Sequence, residues 1–187
     1  THGERKIRLK TQLVGEHWTT SVLAAIACGV ACGIDLDACA DAVASFEPVL
    51  GRCSVHQVLK GPAYVLDNKL PFWTLAACFK FMKDARAPRR TIVLGTISDH
   101  AGSASAHYRR AARQALQVSD RVIFVGRQSG FVRKLQDEAP DRLFAFQTVY
   151  QASMFLAENS LADELILIKG SRTADHLERI TLSQLDD

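Results

Sequence analysis

The chain has 187 residues, 48% hydrophobic and 23% charged, which allows a packed core and excludes a disordered chain. A formal net charge of +3 is too small to argue for nucleic acid as a partner. No uncharged apolar run of about 18 residues occurs, so no membrane span is expected; five cysteines without a CxxC pair argue for free thiols in a reducing, cytoplasmic setting.

The chain opens at Thr1, without a methionine or a visible signal peptide, and reads as the interior of a longer protein. Arg5, Lys6, Arg8 and Lys10 form its densest cationic cluster, read as a solvated strand edge. Ile7 to Leu13 alternates apolar and polar residues and predicts an edge strand. Glu16 to Phe46 predicts a helical hairpin: Val22, Ile26 and Val30 recur at helical spacing, Gly33 is the stop, and Asp35 caps the second helix. Cys28 and Cys32 lie four apart with no histidine at zinc spacing, and read as small buried hydrophobes rather than metal ligands. Pro48 and Gly51 mark a linker.

From Cys53 the rhythm changes. Strands are predicted at Cys53–Leu59, Ala63–Leu66, Thr91–Leu94, Arg121–Val125, Leu143–Phe146 and Leu165–Ile168. Helices are predicted at Pro71–Ala85, Ser103–Val118, Ser129–Glu138 and Val149–Asn159, and after Gly170. The short β-branched runs TIVLG, RVIFVG and LILIKG read as central parallel strands covered on both faces. The expected fold is α/β: a Rossmann-like, three-layer, mostly parallel sheet preceded by a helical hairpin, with a boundary between residues 1–50 and 51–187.

In such a sheet ligands sit beyond the carboxyl ends of the strands. Four predicted ends carry Asp67-Asn68-Lys69, Gly95-Thr96-Ile97-Ser98-Asp99, Gly126-Arg127 and Lys169-Gly170-Ser171-Arg172. Cations and helix N-termini on one rim suit phosphates or carboxylates. The competing reading is a set of tight turns and caps. The chain holds no GxxxxGK[ST] phosphate loop and no GxGxxG fingerprint, so a dinucleotide cofactor is disfavoured. It holds no nucleophile elbow, which argues against a hydrolase.

Four separated stretches carry a resemblance. LVGEHWTTSVLAAIACGVACGIDLDACADAVASFEPVLGR resembles the join between the central and C-terminal domains of the Mur ligase family. AYVLDNKLPFWTLAACFKFM resembles the family's strand-to-helix segment, RRTIVLGTISDHAGSASAHYRRAARQA its Leu-Gly-Asp stretch, and LILIKGSRTADHLERI its Lys-Gly-Ser-Arg motif. The resemblance runs from about Leu13 to Ile180. It implies the end of a central ATPase domain, then a C-terminal Rossmann-like domain, of an ATP-dependent amide ligase of the kind that serves cell-wall biogenesis. Such ligases activate a carboxylate as an acyl phosphate, which an amine then displaces. By resemblance His17, Arg52 and Asp67 approach ATP, at the adenine, the nucleotide and the ribose. Lys69 lies beside the acidic substrate, and Lys169, Ser171 and Arg172 line the amine-substrate pocket. Magnesium, the catalytic phosphate loop and the N-terminal and central domains are implied to lie mainly outside this chain, which would be inactive alone, and no catalytic or metal-binding residue is assigned within it. The partners implied are small-molecule acid and amine substrates, with no nucleic acid and no membrane.

Departures from the family pattern are specific. Trp18 and Ser21 stand where asparagines are usual, and Thr96 replaces the aspartate of Leu-Gly-Asp, with Asp99 as its stand-in. They imply a divergent ligase joining another acid and amine. Phe72 and Trp73 are read as core at a helix start rather than as substrate contacts. Two other readings compete: a non-catalytic binding or regulatory module that kept the fold, and a flavin or nicotinamide domain supported by fold alone.

Overall fold

The structure is a computed structural model that describes residues 5–185. The chain divides into two compact units, with the boundary between Ser54 and Val55.

The first unit holds the helical hairpin. A 3₁₀ turn, Glu16–Trp18, leads into α1 (Thr19–Ala31), and α2 (Leu36–Ser45) follows. Gly33 ends α1 with a left-handed backbone (φ 84°), a conformation that costs glycine no Cβ clash. The Asp35 carboxylate accepts a hydrogen bond from the Asp37 amide at 2.8 Å, the N-cap expected there. Arg5 reaches the same helix start, pairing with Asp35 at 3.0 Å and Asp37 at 2.6 Å.

Two expectations fail in this unit. Residues 6–14 carry no strand. Ile7 and Leu9 alternate with exposed neighbours as predicted, but they line an apolar groove of about 450 Å³ with Leu23, Ile26 and Val30 of α1. Alternation reports one buried face, and a helix can cover that face as well as a sheet can. Cys28 and Cys32 are exposed rather than buried. α1 is apolar nearly all round and buries only Val22; one companion helix covers one face of it.

The second unit is built on a six-stranded sheet in the order β1-β2-β6-β3-β4-β5. Its strands are β1 (Arg52–Gln57), β2 (Ala63–Asp67), β3 (Arg89–Leu94), β4 (Arg121–Val125), β5 (Leu143–Phe146) and β6 (Glu164–Lys169). The pairs β2–β6, β6–β3, β3–β4 and β4–β5 are parallel. Every residue of β4 is buried, the apolar run Val122–Val125 as predicted and Arg121 with it. One sheet face packs Leu66, Val93, Ile123 and Ile168 against α6 (Val149–Asn159) and α7 (Glu178–Leu185). The other faces α3 (Leu75–Asp84) and α4 (Ala104–Leu116), where the Tyr108 ring lies 5.7 Å from that of Phe124. A four-residue helix, α5 (Arg133–Gln136), follows the 3₁₀ turn Ser129–Val132. Thr148 and Gln151 close a full capping box at the start of α6. This is the expected three-layer α/β arrangement.

The helix expected directly after Gly170 starts later. Residues 171–175 are turns, and α7 begins only at Glu178. The Lys-Gly-Ser-Arg run therefore ends a strand but opens no helix.

Candidate functional site at the carboxyl rim of the sheet

Parallel pairing sets the carboxyl ends of β2, β6 and β3 side by side. Asp67 stands opposite Lys169, and Lys169 opposite Leu94. The chain then leaves each strand into a loop: 68–71, 95–99 and 170–175.

The loops are stitched together. Pro71 and Ser98 form an isolated parallel bridge; Ser98 N donates to Leu70 O at 3.0 Å and Phe72 N to Ser98 O at 2.9 Å. Between the three loops lies an open cleft of about 610 Å³. Lys69, Ser171 and Arg172, three of the four residues expected to contact substrate, line it together with Trp73, Thr96 and Asp99. Two cations facing one aspartate leave the cleft net positive, a setting for a carboxylate or phosphate. Trp73 is 66% exposed rather than core, because α3 starts one residue after the turn that carries it. Phe72 is half-buried, with the His107 ring 4.4 Å away and the Arg110 guanidinium above it.

Lys169, the fourth expected substrate residue, is placed otherwise. It is buried, and its ammonium pairs with the Asp67 carboxylate, which was expected at the ribose. The register that puts these two residues opposite each other makes one ion pair of them. Lys169→Ala is therefore expected to cost about 2–4 kcal/mol of stability by stranding a largely buried carboxylate. Lys69→Ala, at an exposed position, is expected to change stability by no more than about 0.5 kcal/mol. Equal thermal shifts for the two variants would refute the assignment.

Asp175 is the residue that sequence reasoning missed. It is buried, and its carboxylate accepts from Thr96 N at 2.7 Å, Thr96 Oγ1 at 2.6 Å and Ser171 N at 2.9 Å. Gly95 and Gly170 approach it so closely that a Cβ on Gly95 would stand 2.3 Å from Oδ2, and one on Gly170 3.1 Å. Asp175 thus ties the loop after β3 to the loop after β6. Asp99, expected as the stand-in for the Leu-Gly-Asp aspartate, accepts from its neighbour Ser98 Oγ at 2.5 Å and lines the cleft. No motif marks Asp175; it is one aspartate in a turn-rich run, and only the meeting of two strand ends gives it partners.

His17 and Arg52 belong to the first unit and are exposed; Arg52 opens β1. Among the described residues no cluster of three or more histidine, cysteine or acidic side chains could hold a metal ion, and no helix is long and apolar enough to cross a membrane.

The cleft lies beyond the carboxyl ends of a parallel sheet, where ligands of open α/β sheets sit, and its lining is net positive. Comparison narrows this. No family model matches the sequence. The UDP-N-acetylmuramoyl-L-alanyl-D-glutamate--2,6-diaminopimelate ligase of Vibrio vulnificus is 25% identical over 90% of the chain, which spans 35% of that protein. MurF from Acinetobacter baumannii superposes with a TM-score of 0.82 at 20% identity, over 96% of this chain and 40% of MurF. MurF from Thermotoga maritima, solved in complex with ADP, gives 0.75 at 16% identity, over 95% of this chain and 41% of that one. The chain is thus similar to Mur ligases in sequence, has the fold of their C-terminal domain, and spans roughly two-fifths of their length.

Proposed function

We propose that this chain is the C-terminal part of an ATP-dependent ligase that joins an amine to a carboxylate, and that the rim cleft receives the amine substrate. The observation that carries the reading is the convergence of Lys69, Ser171 and Arg172 on one cleft. An amino acid or peptide entering amine-first would leave its own carboxylate to Ser171 and Arg172, the charge-assisted hydrogen bonds of Arg172 each worth roughly 1.5–3 kcal/mol when desolvated, while Lys69 lies beside the acidic substrate. Trp73 adds an apolar wall. The departures at Trp18, Ser21 and Thr96 favour an acid and an amine other than those of the named relatives.

ATP, when bound, supplies the phosphoryl group that activates the carboxylate. His17 and Arg52 are the residues of the first unit assigned to the nucleotide. Asp67 is assigned to the ribose; Lys169 takes its Oδ2, and a carboxylate has a second oxygen for a hydroxyl. The ion pair fixes the Asp67 carboxylate in place. Magnesium is assigned to no residue of this chain.

The test is phosphate release by the full-length gene product with ATP and a panel of amino acids and small acids. Amine-dependent release that falls at least about 100-fold in Lys69→Ala and in Arg172→Ala, with folding intact, is the expected result. Release unaffected by either variant would remove the cleft from the mechanism. The second reading, a binding module that kept the fold, is favoured by the same departures; it predicts saturable binding of an anionic ligand at the cleft with no release under any pairing.

A further inference from the structure

The first unit contains a nucleophile–base pair whose thiol the ligase reading leaves unused. Cys53 Sγ lies 3.6 Å from His17 Nε2, a hydrogen-bonding distance for sulfur. Three features hold the pair in place. The Cys53 backbone is left-handed (φ 54°), uncommon for a residue with a side chain. The His17 ring lies over Gly15, where a Cβ would meet it at 2.5 Å. The Trp18 ring stands on the same imidazole, 5.4 Å between centroids. A thiol beside an orienting imidazole is how proteins activate cysteine. Both side chains are reachable: Cys53 is half-buried and His17 exposed.

We infer that Cys53, with His17 as its base, is a modification site for small disulfides. The Cys53 proton passes to His17 Nε2, and the thiolate attacks one sulfur of the incoming disulfide. The Cys53 S–S bond forms as the disulfide's own S–S bond breaks. The departing thiolate recovers the proton from His17, so the products are a mixed disulfide on Cys53 and one free thiol. The incoming disulfide is the oxidant. This chemistry stands without the ligase reading, since it needs neither nucleotide nor amine.

The other cysteines give an internal control. Cys28 and Cys32 are more exposed than Cys53, whereas Cys39 and Cys78 are buried. Exposure alone would make Cys28 and Cys32 react first; activation by His17 reverses that order. The reduced chain is treated near neutral pH with a limiting amount of an aromatic disulfide, and each cysteine is followed by peptide mass mapping. Cys53 is expected to react about tenfold faster than Cys28 or Cys32. In His17→Ala its rate is expected to fall by about the same factor, while Cys28 and Cys32 keep theirs and Cys39 and Cys78 stay protected. Protection of the buried pair verifies that the variant is folded; if it is not, His17→Gln takes its place. Cys53 reacting no faster than Cys28, or reacting equally fast without His17 in a folded protein, would overturn the assignment.

Discussion

Glu164→Ala is expected to lower the stability of the second unit by about 3–5 kcal/mol, a fall of roughly 10–20 °C in its unfolding temperature. Glu164 opens β6 at the amino edge of the sheet, opposite to the cleft, and its side chain is fully buried. Arg121 of β4, whose side chain is 7% exposed, donates to Oε1 at 2.8 Å, and Arg89 of β3 donates from Nε to Oε2 at 2.9 Å. The Thr91 hydroxyl donates to Oε1, and Leu161 N to Oε2 at 3.0 Å. Burial pushes the Arg121 guanidinium below its ordinary value while Glu164 opposes that shift. Removing the carboxylate leaves two arginines facing each other, Arg121 buried and Arg89 partly exposed. The Phe155 ring, 5.2 Å from the Arg121 guanidinium, offsets only a small part of the loss. Thermal unfolding followed by circular dichroism measures the change. Glu158→Ala, on the exposed face of α6, is the control and should stay within about 0.5 kcal/mol. A Glu164→Ala loss as small as the control's would mean that the arginines find other partners.

Asp175→Ala is expected to cost about 3 kcal/mol and to release the loop after β6, because two backbone N–H groups, of Thr96 and Ser171, lose their acceptor at a buried position. Asp175→Asn is expected to lose far less. Its amide oxygen can accept from both N–H groups while its NH₂ donates to Thr96 Oγ1, so all three contacts survive at the same volume. Amide hydrogen exchange reads the difference site by site: protection at Ser171 and Thr96 should drop in Asp175→Ala and persist in Asp175→Asn. In the full-length protein the same pair separates cleft geometry from chemistry. Under the proposed ligase function, the alanine variant should raise KM for the amine substrate, and the asparagine variant should leave it near the wild-type value. Unchanged exchange at Ser171 in Asp175→Ala would show that the loop holds itself, through the bonds from Ala174 N to Ser171 Oγ and from Asp175 N to Ser171 O.

Both effects come from residues to which the sequence gives no prominence. The three cleft residues were legible because each follows an apolar β-branched run, and a run of that kind buried on both faces ends at the carboxyl rim. The hairpin was legible for an equally local reason: Gly33 and Asp35 act on backbone groups within a turn of themselves. Thr148 and Gln151 at the start of α6 work over three residues. An apolar pattern, by contrast, does not name the partner that covers it. Ile7 and Leu9 alternate like strand residues yet meet a helix. Cys28 and Cys32 sit on a helix whose apolar surface exceeds what α2 covers. Trp73 looked like core at a helix start, but the 3₁₀ turn that carries it turns the ring outward.

The order of the strands and most helices along the chain, their caps, and the cations at the strand ends are written locally, because periodicity and capping act between residues a few positions apart. It takes the folded chain to pair Lys169 with Asp67 from 102 positions away, Asp175 with Thr96 across 79, and Glu164 with Thr91 across 73 and Arg121 across 43. These pairings follow from slotting β6 between β2 and β3 in one register. A shift of that register by one residue would turn every β6 side chain to the opposite face and dissolve them all.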